Sequence, residues 1–166
     1  NIGRAQALLK YAAELQGLGN TEDDLAYKRG EREFYNSLMS ELPTGDFAFT
    51  IAKQMLISVF EYFQFTALSH SADETIAGIA AKTLKEVRYH MMHARDWCYR
   101  LGKGTEESNR RLQNAINELW MFTGDLFEMN DEDKMLEVLD IAIDLNEIKT
   151  QFDTLVQTIL RESDIR

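Results

Sequence analysis

Apolar residues recur at three- and four-residue steps along most of the chain, the spacing of one face of an α-helix. Breaker residues divide the pattern. Residues 4–16 form one periodic stretch, ended by Gly17-Leu18-Gly19-Asn20. Thr21 is placed to cap a second helix to about Glu41, with Glu22, Asp23 and Asp24 complementing the positive end of its dipole. Leu42-Pro43-Thr44-Gly45 reads as a turn before a third helix from about Asp46 to Leu68. Ser71-Ala72-Asp73-Glu74 has the form of a capping box and opens the longest helix, about 72–101, which Gly102-Lys103-Gly104 stops. Thr105 caps a fifth helix, about 106–128. The acidic stretch 130–144 predicts a short helix and a linker, and a last amphipathic helix runs from near Asn146 to about Glu162.

The third helix is apolar on nearly every side (Ile51, Met55, Leu56, Val59, Phe60, Tyr62, Phe63 and Phe65), which predicts a central position in a bundle. The fourth carries a cleaner stripe through Ile76, Ile79, Ala80, Thr83, Val87, Met91, Ala94, Cys98 and Leu101. Long helices joined by short loops pack as antiparallel neighbours, so the pattern predicts a helical bundle.

Composition narrows the chemistry. The 166 residues include 28 acidic against 18 basic side chains, a formal charge of -10. That balance repels phosphate backbones, and no basic stripe offsets it. No run of about 18 apolar residues is present to span a membrane. Cys98 is the only cysteine, which rules out an internal disulfide or a thiolate zinc site and fits a reducing cytoplasm. A Gly-rich phosphate loop and a nucleophile elbow are both lacking. The acidic run Glu128–Asp133 lacks the interleaved pattern and central Gly of a calcium loop.

Two ionisable residues interrupt the apolar stripes. In the second helix Tyr27, Glu31, Phe34, Leu38 and Leu42 follow helical steps, so Glu31 is expected to face the core. In the fourth, His90 falls among Val87, Met91 and Ala94. A carboxylate and an imidazole turned inward suit a metal site, and equally a satisfied buried polar pair. Spacing bears on the choice. A di-iron bundle needs a Glu and a His at i and i+3 on each of two helices. The three histidines, His70, His90 and His93, are preceded at that distance by Ala67, Val87 and His90, so no Glu-x-x-His exists. Glu86 lies four residues before His90 instead of three. Glu61 on the central helix faces either the interior or a partner. A non-standard ligand set from Glu31, Glu61, Glu86, His90 and His93 is the alternative, which would make the chain a metal-binding ferritin-like protein.

Several long segments occur in the order found in one family: YAAELQGLG (11–19), DLAYKRGEREF (24–34), GDFAFTIAKQ (45–54), AAKTLKEVRYHMMHARDW (80–97), RLGKGTEES (100–108) and AINELWMFTGDLF (115–127). Together they resemble the PaaC family, the non-catalytic ferritin-like subunits of bacterial ring-1,2-phenylacetyl-CoA epoxidase, a multicomponent monooxygenase of phenylacetate catabolism. The resemblance weakens after Asn130. It implies an all-α fold, a ferritin-like four-helix bundle with an additional C-terminal helix. Residues 1–166 are then one domain, with the upstream part of its first helix and a C-terminal extension expected beyond them.

The resemblance also implies a role. In such complexes a paralogous, PaaA-like subunit holds two irons on Glu-x-x-His pairs. Carried onto this chain, the first pair falls on Glu31 and Phe34, the second on Val87 and His90, and the lone carboxylate between them on or near Ser58. Glu31 and His90 would then be vestigial ligand positions, with Phe34, Ser58 and Val87 replacing ligands. The implied protein has no catalytic residues, no metal and no other cofactor. It works in the cytoplasm as a structural subunit, its partners being the PaaA-like catalytic subunit and other subunits of the epoxidase. Aromatic side chains dominate buried interfaces, and Phe47, Phe49, Tyr62, Trp97, Tyr99 and Trp120 are candidate surface anchors, each also able simply to fill the core.

Overall fold

The computed structural model describes residues 2–166, which fold as α1 (Ile2–Gln16), α2 (Glu22–Tyr27), α3 (Leu38–Glu41), α4 (Phe47–Leu68), α5 (Glu74–Gly102), α6 (Glu106–Trp120), α7 (Asp131–Val138) and α8 (Leu145–Glu162). Short 3-10 turns occupy Glu31–Glu33 and Gly124–Phe127, and no strand occurs among the described residues. The architecture is the expected all-α, ferritin-like bundle.

α4 occupies the centre because most of its circumference is apolar. Ala52, Met55, Leu56 and Val59 are completely buried, and each large apolar side chain so buried is worth about 1.5–3 kcal/mol. α5 packs antiparallel to α4, so the Phe47 ring at the start of α4 meets Trp97 near the end of α5 edge-on at 4.9 Å. α6 and α8 complete the main core, adding Leu112, Ile116 and Leu119 from α6 and Phe152, Val156 and Ile159 from α8. The additional C-terminal helix thus contributes side chains to the main core. A smaller cluster, Phe65, Ala80 and Val87, fills the space between α4 and α5 toward their connecting loop.

Three local expectations are corrected. The helix expected from Thr21 to about Glu41 is broken. Thr21 does cap it, accepting from the Asp24 N–H at 3.3 Å, but α2 stops at Tyr27. Gly30 costs a helix interior about 1 kcal/mol, and here its N–H is taken by the Glu33 carboxylate at 2.5 Å. Ser37 then precedes α3 without a side-chain bond to its backbone, and the first N–H of α3, that of Leu38, donates to Asp125 at 2.8 Å. At the start of α5 the cap is Asp73 in place of Ser71. Asp73 accepts from the N–H groups of Thr75 and Ile76, both at 2.9 Å, while the Ser71 hydroxyl donates to the Ile141 carbonyl at 2.8 Å. The fifth helix ends at Trp120, where a buried Thr123 hydroxyl donates back to the Trp120 carbonyl at 2.8 Å.

Two features tie the periphery to this core. A Cβ on Gly102 would lie 1.8 Å from the Ser163 carbonyl oxygen, so only glycine lets the end of α8 approach the end of α5. On the other side, the Tyr11 hydroxyl of α1 donates to Asp73 at 2.5 Å. That bond, followed by the two helix N–H groups, holds the Asp73 carboxyl below its ordinary range, and the same bond raises Tyr11. Cys98, fully enclosed, has its thiol pushed up to about 12 by burial and is inert.

Gly102→Ala is expected to lower the melting temperature even though alanine is the better helix former by about 1 kcal/mol; an unchanged or raised midpoint would show that the α5–α8 contact relaxes freely. A carboxylate with a depressed pKa stabilises above its unfolded value and loses that contribution as pH falls through it. The melting-temperature difference between wild type and Tyr11→Phe should therefore hold across about pH 5 to 8 and shrink below about pH 4, near the unfolded Asp value.

Candidate functional site

Beside α4 lies a cleft of about 400 Å³, walled by the Pro43-Thr44 turn, by Phe49, Lys53, Ile57, Ser58 and Glu61 on one face of α4, and by His90 of α5. Helical spacing sets this lining, since Thr50, Gln54, Ile57 and Glu61 succeed one another at three- and four-residue steps, with Ser58 beside Ile57. Lys53 closes one end. Its ammonium donates to the Leu42 carbonyl at 3.1 Å and caps the end of α3.

Glu61, Ser58 and His90 find partners within the protein, although Arg4 Nη1 is buried with no hydrogen-bond partner among the described residues. Glu61, half-buried, is held by the Arg4 guanidinium of α1 at 2.8 Å. That guanidinium also lies 5.2 Å from the centre of the Phe65 ring. The Ser58 hydroxyl, buried, turns back to the Met55 carbonyl of its own helix at 3.2 Å. His90 Nε2 lies 3.6 Å from Glu86 one turn earlier, and its ring meets Tyr89 edge-on at 5.7 Å.

Of the residues singled out from sequence, Ser58, Glu61 and His90 are brought to one cleft, and Val87 lies fully buried near them, packed with Phe65 and Ala80. Glu31 and Phe34 are not. Glu31 sits on the exposed 3-10 turn, and Phe34 is 40% exposed with Arg29 stacked 4.3 Å from its ring centre. The inward direction read for Glu31 fails because it assumed an unbroken helix. The same assumption misplaced Tyr27, which is 83% exposed. His93 is exposed and stacks on Tyr89. Among the aromatic candidates, Phe47, Tyr99 and Trp120 are exposed, whereas Phe49, Tyr62 and Trp97 are partly buried.

Arg4 was not foreseen, although Arg4, Ala7 and Tyr11 at i, i+3 and i+7 on an otherwise apolar stretch mark one face turned to the bundle. Among the described residues no group of three or more His, Cys, Asp or Glu side chains could hold a metal ion. Nor does this donor set fit a di-metal centre. Where a chelating carboxylate is required three residues before His90, the chain has the isopropyl group of Val87, and Glu61 is already neutralised by Arg4. No helix among the described residues is long and apolar enough to cross a membrane.

Fold and cleft define a ferritin-like helical bundle with a cleft beside α4 lined by Ser58, Glu61 and His90. Residues 1–166 match the profile of the family described as phenylacetic acid catabolic protein, PaaA_PaaC, and the chain belongs to that family. It is 42% identical over 164 residues to one of the subunits of the 1,2-phenylacetyl-CoA epoxidase of Escherichia coli (strain K12), an alignment covering 99% of this chain and 66% of that relative. The chain thus spans just under two thirds of the relative's length.

The Arg4–Glu61 pair is expected to show in a double-mutant cycle. Arg4→Met should destabilise the fold more than the combined Arg4→Met/Glu61→Gln change, with a coupling of about 0.5–3 kcal/mol by urea denaturation. Additive single effects would mean that the pair contributes no net stability.

Proposed function

We propose that this chain is a structural, non-catalytic subunit of a ring-1,2-phenylacetyl-CoA epoxidase, an oxidoreductase assembly of phenylacetate catabolism, in which it supports a di-iron catalytic paralogue. The similarity to a subunit of such an epoxidase supports the assembly. The non-catalytic role rests on one observation above all, the complete burial of Val87. A carboxylate at that position would complete a Glu-x-x-His unit with His90, and hydrocarbon there leaves the imidazole without its chelating neighbour.

In this reading Ser58, Val87 and His90 are the remnants of a ligand set, with Glu31 and Phe34 marking its other half at the level of sequence position. Arg4 supplies the positive charge that a metal would otherwise bring to Glu61. Stability, and not oxygen chemistry, is then what the polar groups of the cleft contribute. A cytoplasmic setting accords with the lone thiol buried at Cys98. The alternative of a metal-binding protein with a non-standard ligand set gains no support from the geometry, since Glu31 and His93 lie on exposed surface away from Glu61.

Elemental analysis of the purified chain should find no stoichiometric iron, and the chain alone should not oxygenate phenylacetyl-CoA. Co-expression with a catalytic paralogue bearing two Glu-x-x-His motifs should give a stable hetero-oligomer in size-exclusion chromatography. Two tightly bound irons, or turnover by the isolated chain, would refute the proposal.

A further inference from the structure

Between the bundle helices α6 and α8 the chain builds a helix that the core does not use. No residue of α7 is buried. On its second turn Met135 is 68% exposed and Val138 83%, Leu139 just after its end is 59% exposed, and Leu136 flanks them. These residues stand at i, i+1, i+3 and i+4, so they share one face, the anchor spacing by which a helix lies in an apolar groove of a partner. The opposite side and the ends are acidic. Six acidic residues against one lysine lie between Glu128 and Asp140, and that lysine, Lys134, is paired with Asp131 at 3.3 Å.

The helix is held in place and is not a loose linker. Asn130 caps it, accepting from the Asp133 N–H at 2.7 Å. At its other end the Asp140 carbonyl accepts from the Ala72 N–H at 2.8 Å, and the neighbouring Ile141 carbonyl accepts from Ser71. Both anchors are on the loop joining α4 to α5, so α7 presents its apolar face from a fixed point on the bundle. Four large apolar side chains kept in water and braced from behind mark a contact surface more than a solvated connection.

We propose that α7 is a docking helix whose Met135–Leu139 face seats in an apolar groove rimmed by lysine or arginine on the catalytic paralogue of the assembly. The charge decides between occupants. A second copy of this chain would bring six more carboxylate-bearing residues against the first six, and like charges across an interface oppose association. A groove of opposite sign gains both the apolar contact and long-range attraction. This inference rests on the assembly proposed above and names the element and the chemistry by which the chain joins it.

The test uses the whole chain and the catalytic paralogue, with affinity measured by fluorescence anisotropy over a range of salt concentrations. Met135→Glu/Leu139→Glu should weaken binding at least about 30-fold while leaving the circular dichroism melt unchanged, because both side chains are exposed. Asp131→Asn/Glu132→Gln/Glu137→Gln should flatten the salt dependence. Wild-type affinity in the first variant would overturn the docking role of α7 and leave the assembly standing. Absence of any complex with the wild-type chain would overturn both. A concentration-dependent homodimer in sedimentation, abolished by the first variant, would assign the face to a second copy and refute the partner proposed.

Discussion

The structure depends above all on the need to bury the broad apolar surface of α4. A helix with Ala52, Met55, Leu56 and Val59 fully enclosed and Ile51 and Ala48 nearly so has no stable position at a surface. α5, α6 and α8 each turn one apolar stripe toward it, and the connections fall where those stripes require. The close approach of Gly102 to Ser163 is one result, for the ends of α5 and α8 must converge to close the core around Leu112 and Phe152.

A helix so committed to burial makes every polar group along it costly unless it is satisfied. Ser58 meets that demand within its own helix, and Glu61 by recruiting Arg4 from α1. In a di-metal protein the same demand is met by cations. The difference is one of reversibility: a guanidinium delivered by the chain itself cannot be lost to a chelator, nor does it cycle between charge states. Such a bundle would keep its shape independent of metal supply, which suits the structural role proposed for this chain.

The fold was legible because the long helices carry unambiguous periodicity. α4 and α5 could be placed from their apolar residues alone, and α8 from Phe152, Val156 and Ile159. The stretch 21–41 was misread because a three- and four-residue repeat of Tyr27, Glu31, Phe34 and Leu38 imitates a buried face, while Gly30 and the Asn36-Ser37 pair, the true signals, are local and weak in energy. The Ser71 cap failed for a related reason. Ser71, Asp73 and Glu74 all suit a helix start, and only the hydroxyl's reach to Ile141, a contact with no trace in local sequence, settles that Asp73 caps. Within the cleft, His90 and Val87 followed from the register of α5, whereas the Arg4–Glu61 pair joins elements far apart in sequence. Pairings of that kind depend on packing that periodicity does not encode.

The attachment of α1 has a further consequence. This helix buries only Ala13, and it meets the rest of the molecule largely through polar contacts, Arg4 to Glu61 and Tyr11 to Asp73. Polar clasps of this sort contribute far less than an apolar face. α1 is therefore expected to open as a local unit below the global unfolding free energy, with the amides of α4 protected up to unfolding of the bundle. Each such opening would uncover Glu61 and Phe65, which Arg4 covers, so the carboxylate of the cleft would meet solvent by a local fluctuation with the core around Leu56 undisturbed.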